Sequence, residues 1–231
     1  SLDYSSCFYI YMLGAFAIIL SAKVREKYIY TFLILGMLTS YMDFLTWPLV
    51  TLIMPLIALN YVEREKNTLS SVMASVSWGI GYVGFWAAKW GFGSLIIGEN
   101  ILRDAFKQFM LRSSITIVEG EAKGDFIGTL KNNFSVFTNK GYLALLSIVF
   151  VGLIVCIIYK KRKFDKTAFS KYIVLLVLPI IWYMATTNHS TEHYWMTWRN
   201  AAIFVMIVFF CSSDIVFALI KTASSYISTV W

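Results

Sequence analysis

An all-α, polytopic transmembrane helix bundle of about seven spans is the fold class this sequence predicts, with one long outer loop carrying an amphipathic helix. Three observations point there. Hydrophobic residues make up 58% of the 231 residues against 14% charged, and the mean hydropathy is +0.67, far from the balance of an ordinary soluble domain. The apolar residues fall into runs close to the roughly 20 residues a helix needs to cross a bilayer. The breaks between runs carry the charge, and alternate breaks differ in their excess of basic residues.

Taken in order, the first run covers residues 5–22 and stops at Lys23-Val24-Arg25-Glu26-Lys27. A short run, 28–42, ends at Asp43-Phe44-Leu45-Thr46-Trp47-Pro48. Pro48 suits the first turn of the next helix, where a missing N–H has no partner to lose, and Pro55 is expected to kink that helix before it ends near 62. After Glu63-Arg64-Glu65-Lys66-Asn67 a long run, 69–97, carries Gly79, Gly81 and Gly84, small residues that let helices approach closely. Residues 99–140 hold the polar, soluble-looking sequence. Within them Ile101, Ala105, Phe106, Phe109 and Met110 recur at helical spacing opposite Arg103, Asp104, Lys107 and Gln108, predicting an amphipathic helix that lies on the membrane or packs on the bundle. Further runs follow at 142–159, 172–186 and 201–220, with Lys160-Lys161-Arg162-Lys163 between the first two. The chain thus divides into helices one to four (1–98), the outer loop (99–140) and helices five to seven (141–231).

Charge sets the orientation. If 23–27, 63–67, 160–171 and the tail share a side, that side has 12 basic against 4 acidic residues, whereas the opposite side has 8 of each. The positive-inside rule makes the first side cytoplasmic and places the N-terminus outside and the C-terminus inside. The net charge of +7 then reports topology, and nucleic-acid binding is not indicated. The start, Ser1-Leu2-Asp3-Tyr4, has no initiator Met and no signal-peptide pattern, so upstream spans of a longer protein are expected. Cys7, Cys156 and Cys211 lie inside apolar runs without paired spacing and read as small buried hydrophobes.

Under this topology Asp43, the 99–140 loop and the segment from Asn188 to Arg199 share the outer face, where the candidate chemistry gathers. His189, Glu192 and His193 spell His-x-x-Glu-His, the spacing of an inverted zinc-protease helix. Such a site needs a third protein ligand, and downstream there is only Asp214, within the last run. Two other readings stay open: hydrogen-bonding among interfacial aromatics, or binding of a phosphate or sugar hydroxyl. Arg199 either snorkels to headgroups or clamps a phosphate bidentately. Lys89, inside a long apolar run, is expected to face the bundle interior or a wet cavity with a phosphate partner. Asp43 either caps the Pro48 helix or serves as a carboxylate facing the outer cavity, able to act as a base. Glu99 and Asn100 open the amphipathic segment and are lesser candidates of the same kind. Tyr194, with Trp47, Trp90, Trp195 and Trp198, offers an aromatic surface for a sugar. Asn133-Phe134-Ser135 and Asn188-His189-Ser190 match the glycosylation triplet, a pattern common by chance.

Asp43-Phe44-Leu45-Thr46-Trp47-Pro48-Leu49, Trp86-Ala87-Ala88-Lys89-Trp90 leading to Gly98-Glu99-Asn100, and Asn188-His189-Ser190 through His193-Tyr194-Trp195 to Arg199 together resemble the C-terminal half of bacterial membrane glycosyltransferases of the GT-C type, over residues 30–205. The resemblance implies an enzyme of the bacterial cytoplasmic membrane that moves a sugar from a polyprenyl-phosphate donor to a glycan or lipid acceptor at the outer face, in contact with membrane lipids. Lys89, Arg199, His189 and His193 would hold the phosphate. A divalent metal is compatible with the reading but not required by it. In that family the carboxylate base lies in the first outer loop. That loop is not evident here unless Asp3 or Asp43 stands in for it, so this chain would be the carrier-binding half. The alternative is a transporter or scaffold subunit without chemistry.

Overall fold

The computed structural model describes residues 5–43, 45–63, 67–113, 125–138 and 166–207, and every regular element among them is helical. The helices are α1 (Ser5–Leu20), α2 (Ala22–Glu26), α3 (Tyr28–Met42), α4 (Val50–Val62), α5 (Thr68–Ile97), α6 (Ile101–Arg112), α7 (Phe126–Thr138), α8 (Lys166–Ala185) and α9 (Thr187–Glu192). Helical backbone resumes at 194–207, here α10. The expected run at 142–159, the 160–163 cluster, the far half of the 201–220 run, Asp3, Asp214, Cys156 and Cys211 lie outside the described residues.

The expectation of membrane-crossing spans is corrected here. Among the described residues no helix is long and apolar enough to cross a membrane, so the transmembrane bundle and the integral-membrane placement do not stand. The physical reason is visible helix by helix. The first three apolar runs become helices of 16, 15 and 13 residues, short of the roughly 20 a bilayer requires. The 30-residue α5 has the length but dilutes its aliphatic residues with serine, glycine and aromatics and carries Lys89. In α8, Lys166 and Lys171 occupy the opening turns.

Local chemistry sets the helix boundaries. Asn67 caps α5 by accepting from Ser70 N at 3.2 Å, and Gly98, at φ 78, closes it in the left-handed conformation that glycine adopts without strain. Ser21 caps α2, and Asn100 caps α6 through Arg103 N at 3.2 Å. Pro48 stands two residues before α4 and opens a tight turn in which its carbonyl accepts Thr51 N at 3.1 Å.

Helices α1, α3, α4 and α5 enclose the main core, with Ile18, Phe32, Leu52, Ile53, Leu56 and Leu59 sealed from solvent and Leu175, Ile203 and Ile207 completing it from α8 and α10. Their pairings give the directions. Ser6 meets Met42 and Gly14 meets Leu35, so α1 and α3 are antiparallel. Ser77 donates to the Ile29 carbonyl and Tyr41 meets Phe85, so α3 and α5 run parallel. These two helices touch backbone to backbone: a Cβ on Gly36 would collide with the Trp78 carbonyl, and one on Gly81 with that of Leu33. Gly79 and Gly84 have open space instead, so of Gly79, Gly81 and Gly84 only Gly81 serves close helix approach. A second, smaller core joins Tyr183 and Ala201 to Phe126, Leu130 and Phe134.

The bundle therefore has two chemically distinct ends. At one, Arg25 pairs with Glu63 at 3.0 Å and binds the Ile18 and Ile19 carbonyls at 3.0 Å, while Lys171 reaches the Glu63 carbonyl and Thr68 bonds Ser170. At the other, the turn after Asp43, α6 and α9 meet.

Candidate functional site

The second end is built on Asp43, which leaves α3 in extended backbone (φ −108, ψ 139). Its carboxylate accepts from Thr46 N at 3.1 Å, Trp47 N at 3.3 Å, the Thr46 hydroxyl and the Cys7 thiol at 3.4 Å. Burial raises the Asp43 pKa, and these donors pull it back. Burial and the neighbouring carboxylate keep the Cys7 thiol protonated, as a donor. Asp43 thus organises the turn ahead of α4, and its lone pairs are occupied. Within that turn Leu45 sits at φ 64, a left-handed conformation that costs a residue with a Cβ about 1–2 kcal/mol. Tyr82 of α5 lies within electrostatic range of Asp43, Cys7 and Arg112, and burial is the main cause of its raised pKa.

His189 comes to this turn from α9. Its imidazole is buried and hydrogen-bonds the Leu45 backbone, while Nε2 has no partner among the described residues. The His193 ring lies one turn on, with centroids 4.7 Å apart at 60°. Burial first, then the charges of His193 and Arg112, push the His189 pKa down to about 4 against the opposing Leu45 bond. The imidazole is therefore neutral at physiological pH, with an acceptor or donor nitrogen unused.

A saturated network holds α9 in place. Buried Asn133 of α7 donates to the Ser190 and Thr129 carbonyls, each at 2.9 Å, and accepts from the Thr197 hydroxyl at 2.8 Å. Thr129 bonds Thr191 at 2.5 Å, and Tyr183 donates to the Thr197 carbonyl at 2.9 Å. The Asn133 triplet is consequently a structural hub whose amide is inaccessible in the folded chain. The segment 188–199 is helical on both sides of a break at His193.

The other sequence candidates form no hydrogen bond with the histidine side chains among the described residues. Lys89 is exposed, and its Nζ donates to the Ser40 carbonyl at 2.8 Å, a cation on the negative end of α3. Arg199 donates to the Met196 carbonyl at 3.0 Å and lies 5.3 Å from the Trp198 ring centroid. Lys89 and Arg199 thus hold different backbone carbonyls and form no shared clamp. Tyr194 and Glu99 are exposed, and Asn100 is the α6 cap. Gly91, Ser94, Leu95, Gly98, Glu99, Asn100 and Leu102 line a surface hollow of about 450 Å³, and neither histidine borders it. Glu192 is exposed, with Asn188 at 3.5 Å. Among the described residues no three His, Cys, Asp or Glu gather as metal ligands.

Cys7, Tyr82 and Arg112 are the members of this cluster that sequence reading passes over. Arg112 is one of several charges on an amphipathic helix, and Cys7 and Tyr82 sit in apolar runs, so only the fold singles them out. No family model, curated protein or solved structure matches the chain.

Proposed function

We propose that the end of the bundle around His189 is the phosphate-holding and hydroxyl-activating site of a glycosyl-transfer protein whose donor is a polyprenyl-phosphate-linked sugar. The observation that carries the reading is the buried, neutral His189, whose Nε2 lacks a partner and whose neighbours are His193 and Arg112. An acceptor hydroxyl would supply the missing partner. As its oxygen bonds the anomeric carbon, its proton passes to Nε2. The bond from the anomeric carbon to the phosphate oxygen breaks with its electron pair, and the polyprenyl phosphate departs with the added negative charge. Arg112 and His193 are the groups placed to offset that charge. Lys89 and Arg199, engaged on carbonyls, have no part in this version.

A second reading has its own support. Asp43, Lys89 and Asn133 are consumed by structural hydrogen bonds, as in a scaffold subunit without chemistry. Binding of farnesyl phosphate to the full chain, measured by calorimetry, separates the two. Replacing Arg112 with Ala removes a charge-assisted contact worth about 1.5–3 kcal/mol, a loss of at least tenfold in affinity under the transfer reading. Affinity equal to wild type, or no binding by wild type, would favour the scaffold.

A further inference from the structure

The corner between α5 and α6 presents apolar side chains that the bundle does not use. Leu95 and Ile96 are 79% and 84% exposed, and Phe92 and Ile97 are exposed beside them. On α6, Ala105 is buried, Ile101 reaches Gly93, and Phe109 meets Trp86 with ring centroids 6.3 Å apart. Leu102 and Phe106, one turn apart, stay exposed. Leu95 and Leu102 line the same hollow, so the two exposed stripes adjoin. Arg103 and Lys107 directly follow Leu102 and Phe106 and flank that stripe with positive charge, Glu99 stands at the corner itself, and the whole chain carries +7. The Lys107–Asp104 pair is 3.4 Å apart and exposed, which leaves its ammonium available to other anions. The outward faces of α1 and α3, with Tyr9, Leu13, Ile34 and Leu38, are also apolar but have no basic residue interleaved.

We propose that the α5–α6 corner docks on an anionic lipid surface, with Leu95, Ile96, Leu102 and Phe106 entering the headgroup boundary and Arg103 and Lys107 facing the lipid phosphates. Apolar side chains on a helix bordered by basic ones are what an interfacial helix requires, without crossing the bilayer. Arg112, at the far end of α6, lies instead with the His189 site. The inference goes beyond the transfer reading and stands without it.

The test is flotation of the full chain with phosphatidylcholine vesicles, with and without phosphatidylglycerol. Phosphatidylglycerol should raise binding, and Arg103→Glu with Lys107→Glu should erase that gain by on the order of tenfold or more. Leu95→Glu with Ile96→Glu should lower binding to both vesicles by about tenfold or more. Both pairs are exposed, so circular dichroism should match wild type. Added salt should weaken wild-type binding to the anionic vesicles, a readout that needs no variant. Equal binding to the two vesicles, or apolar-pair variants that float like wild type, would overturn the proposal. So would variants that only turn a dimer into a monomer, which would make a second copy the occupant. Farnesyl phosphate affinity should persist in the Leu95 and Ile96 variant, separating this inference from the transfer site.

Discussion

Protonation of His189 should destabilise the chain in a defined pH window. Its folded pKa is down to about 4 from an ordinary 6.5, so the unfolded chain takes up the proton first as pH falls. The neutral form's contribution is complete above about 6.5 and drains away towards about 4. A displacement of that size corresponds to on the order of 3 kcal/mol, a large share of a typical 5–15 kcal/mol stability. Asp43 acts with the opposite sign. Its pKa is raised by burial, so its contribution is present at low pH and lost as pH rises through the folded value. The clean quantity is therefore the difference between wild type and His189→Asn, in which the amide keeps a donor towards the Leu45 carbonyl and cannot titrate. Urea unfolding at stepped pH values should show the wild type losing about 3 kcal/mol more than the variant between pH 6.5 and 4. Parallel curves would refute the buried, neutral imidazole.

Three further outcomes follow from the packing. Gly81→Ala should destabilise by about 1–3 kcal/mol because its Cβ meets the Leu33 backbone, whereas Gly79→Ala should be neutral or gain up to about 1 kcal/mol; thermal melts separate them. Asn133→Ala removes the amide that bridges the Ser190 carbonyl and the Thr197 hydroxyl, while that hydroxyl keeps the His193 carbonyl at 3.1 Å, so the loss read from the urea midpoint should be about 1–3 kcal/mol in all. Arg25→Ala should cost more than Glu63→Ala, which should lie within about 1 kcal/mol of wild type, because Arg25 also binds the last carbonyls of α1. Equal midpoints for these two variants would contradict that assignment.

The elements were legible where composition changes abruptly. The run 28–42 is α3, and Asn67 before and Gly98 after the 69–97 run bracket α5, since capping chemistry is local. Apolarity misled as to membrane crossing, because the runs at 28–42 and 48–62 fold with nearly those bounds as helices of 15 and 13 residues, too short to span a bilayer. The site was half legible. Asp43 and His189 belong to the same end of the bundle: Asp43 takes the structural one of its two expected roles, holding the turn ahead of α4, and His189 keeps a nitrogen without a partner among the described residues. Lys89 and Arg199 invited a joint role because both are cations in apolar sequence, but each bonds a different backbone carbonyl, Ser40 for Lys89 and Met196 for Arg199. Arg112 went unnoticed because its importance depends on α6 packing against α9, a long-range contact that no spacing encodes.

The central claim, that His189 activates a hydroxyl towards a prenyl-phosphate sugar, is tested most directly by release of prenyl phosphate from short-chain prenyl-phosphate hexoses offered with an acceptor hydroxyl. The account predicts turnover by the wild type and a loss of about a hundredfold or more in a folded His189→Ala chain, the span of general-base catalysis. Turnover unchanged by that substitution, or none by the wild type across the hexose panel, would contradict it.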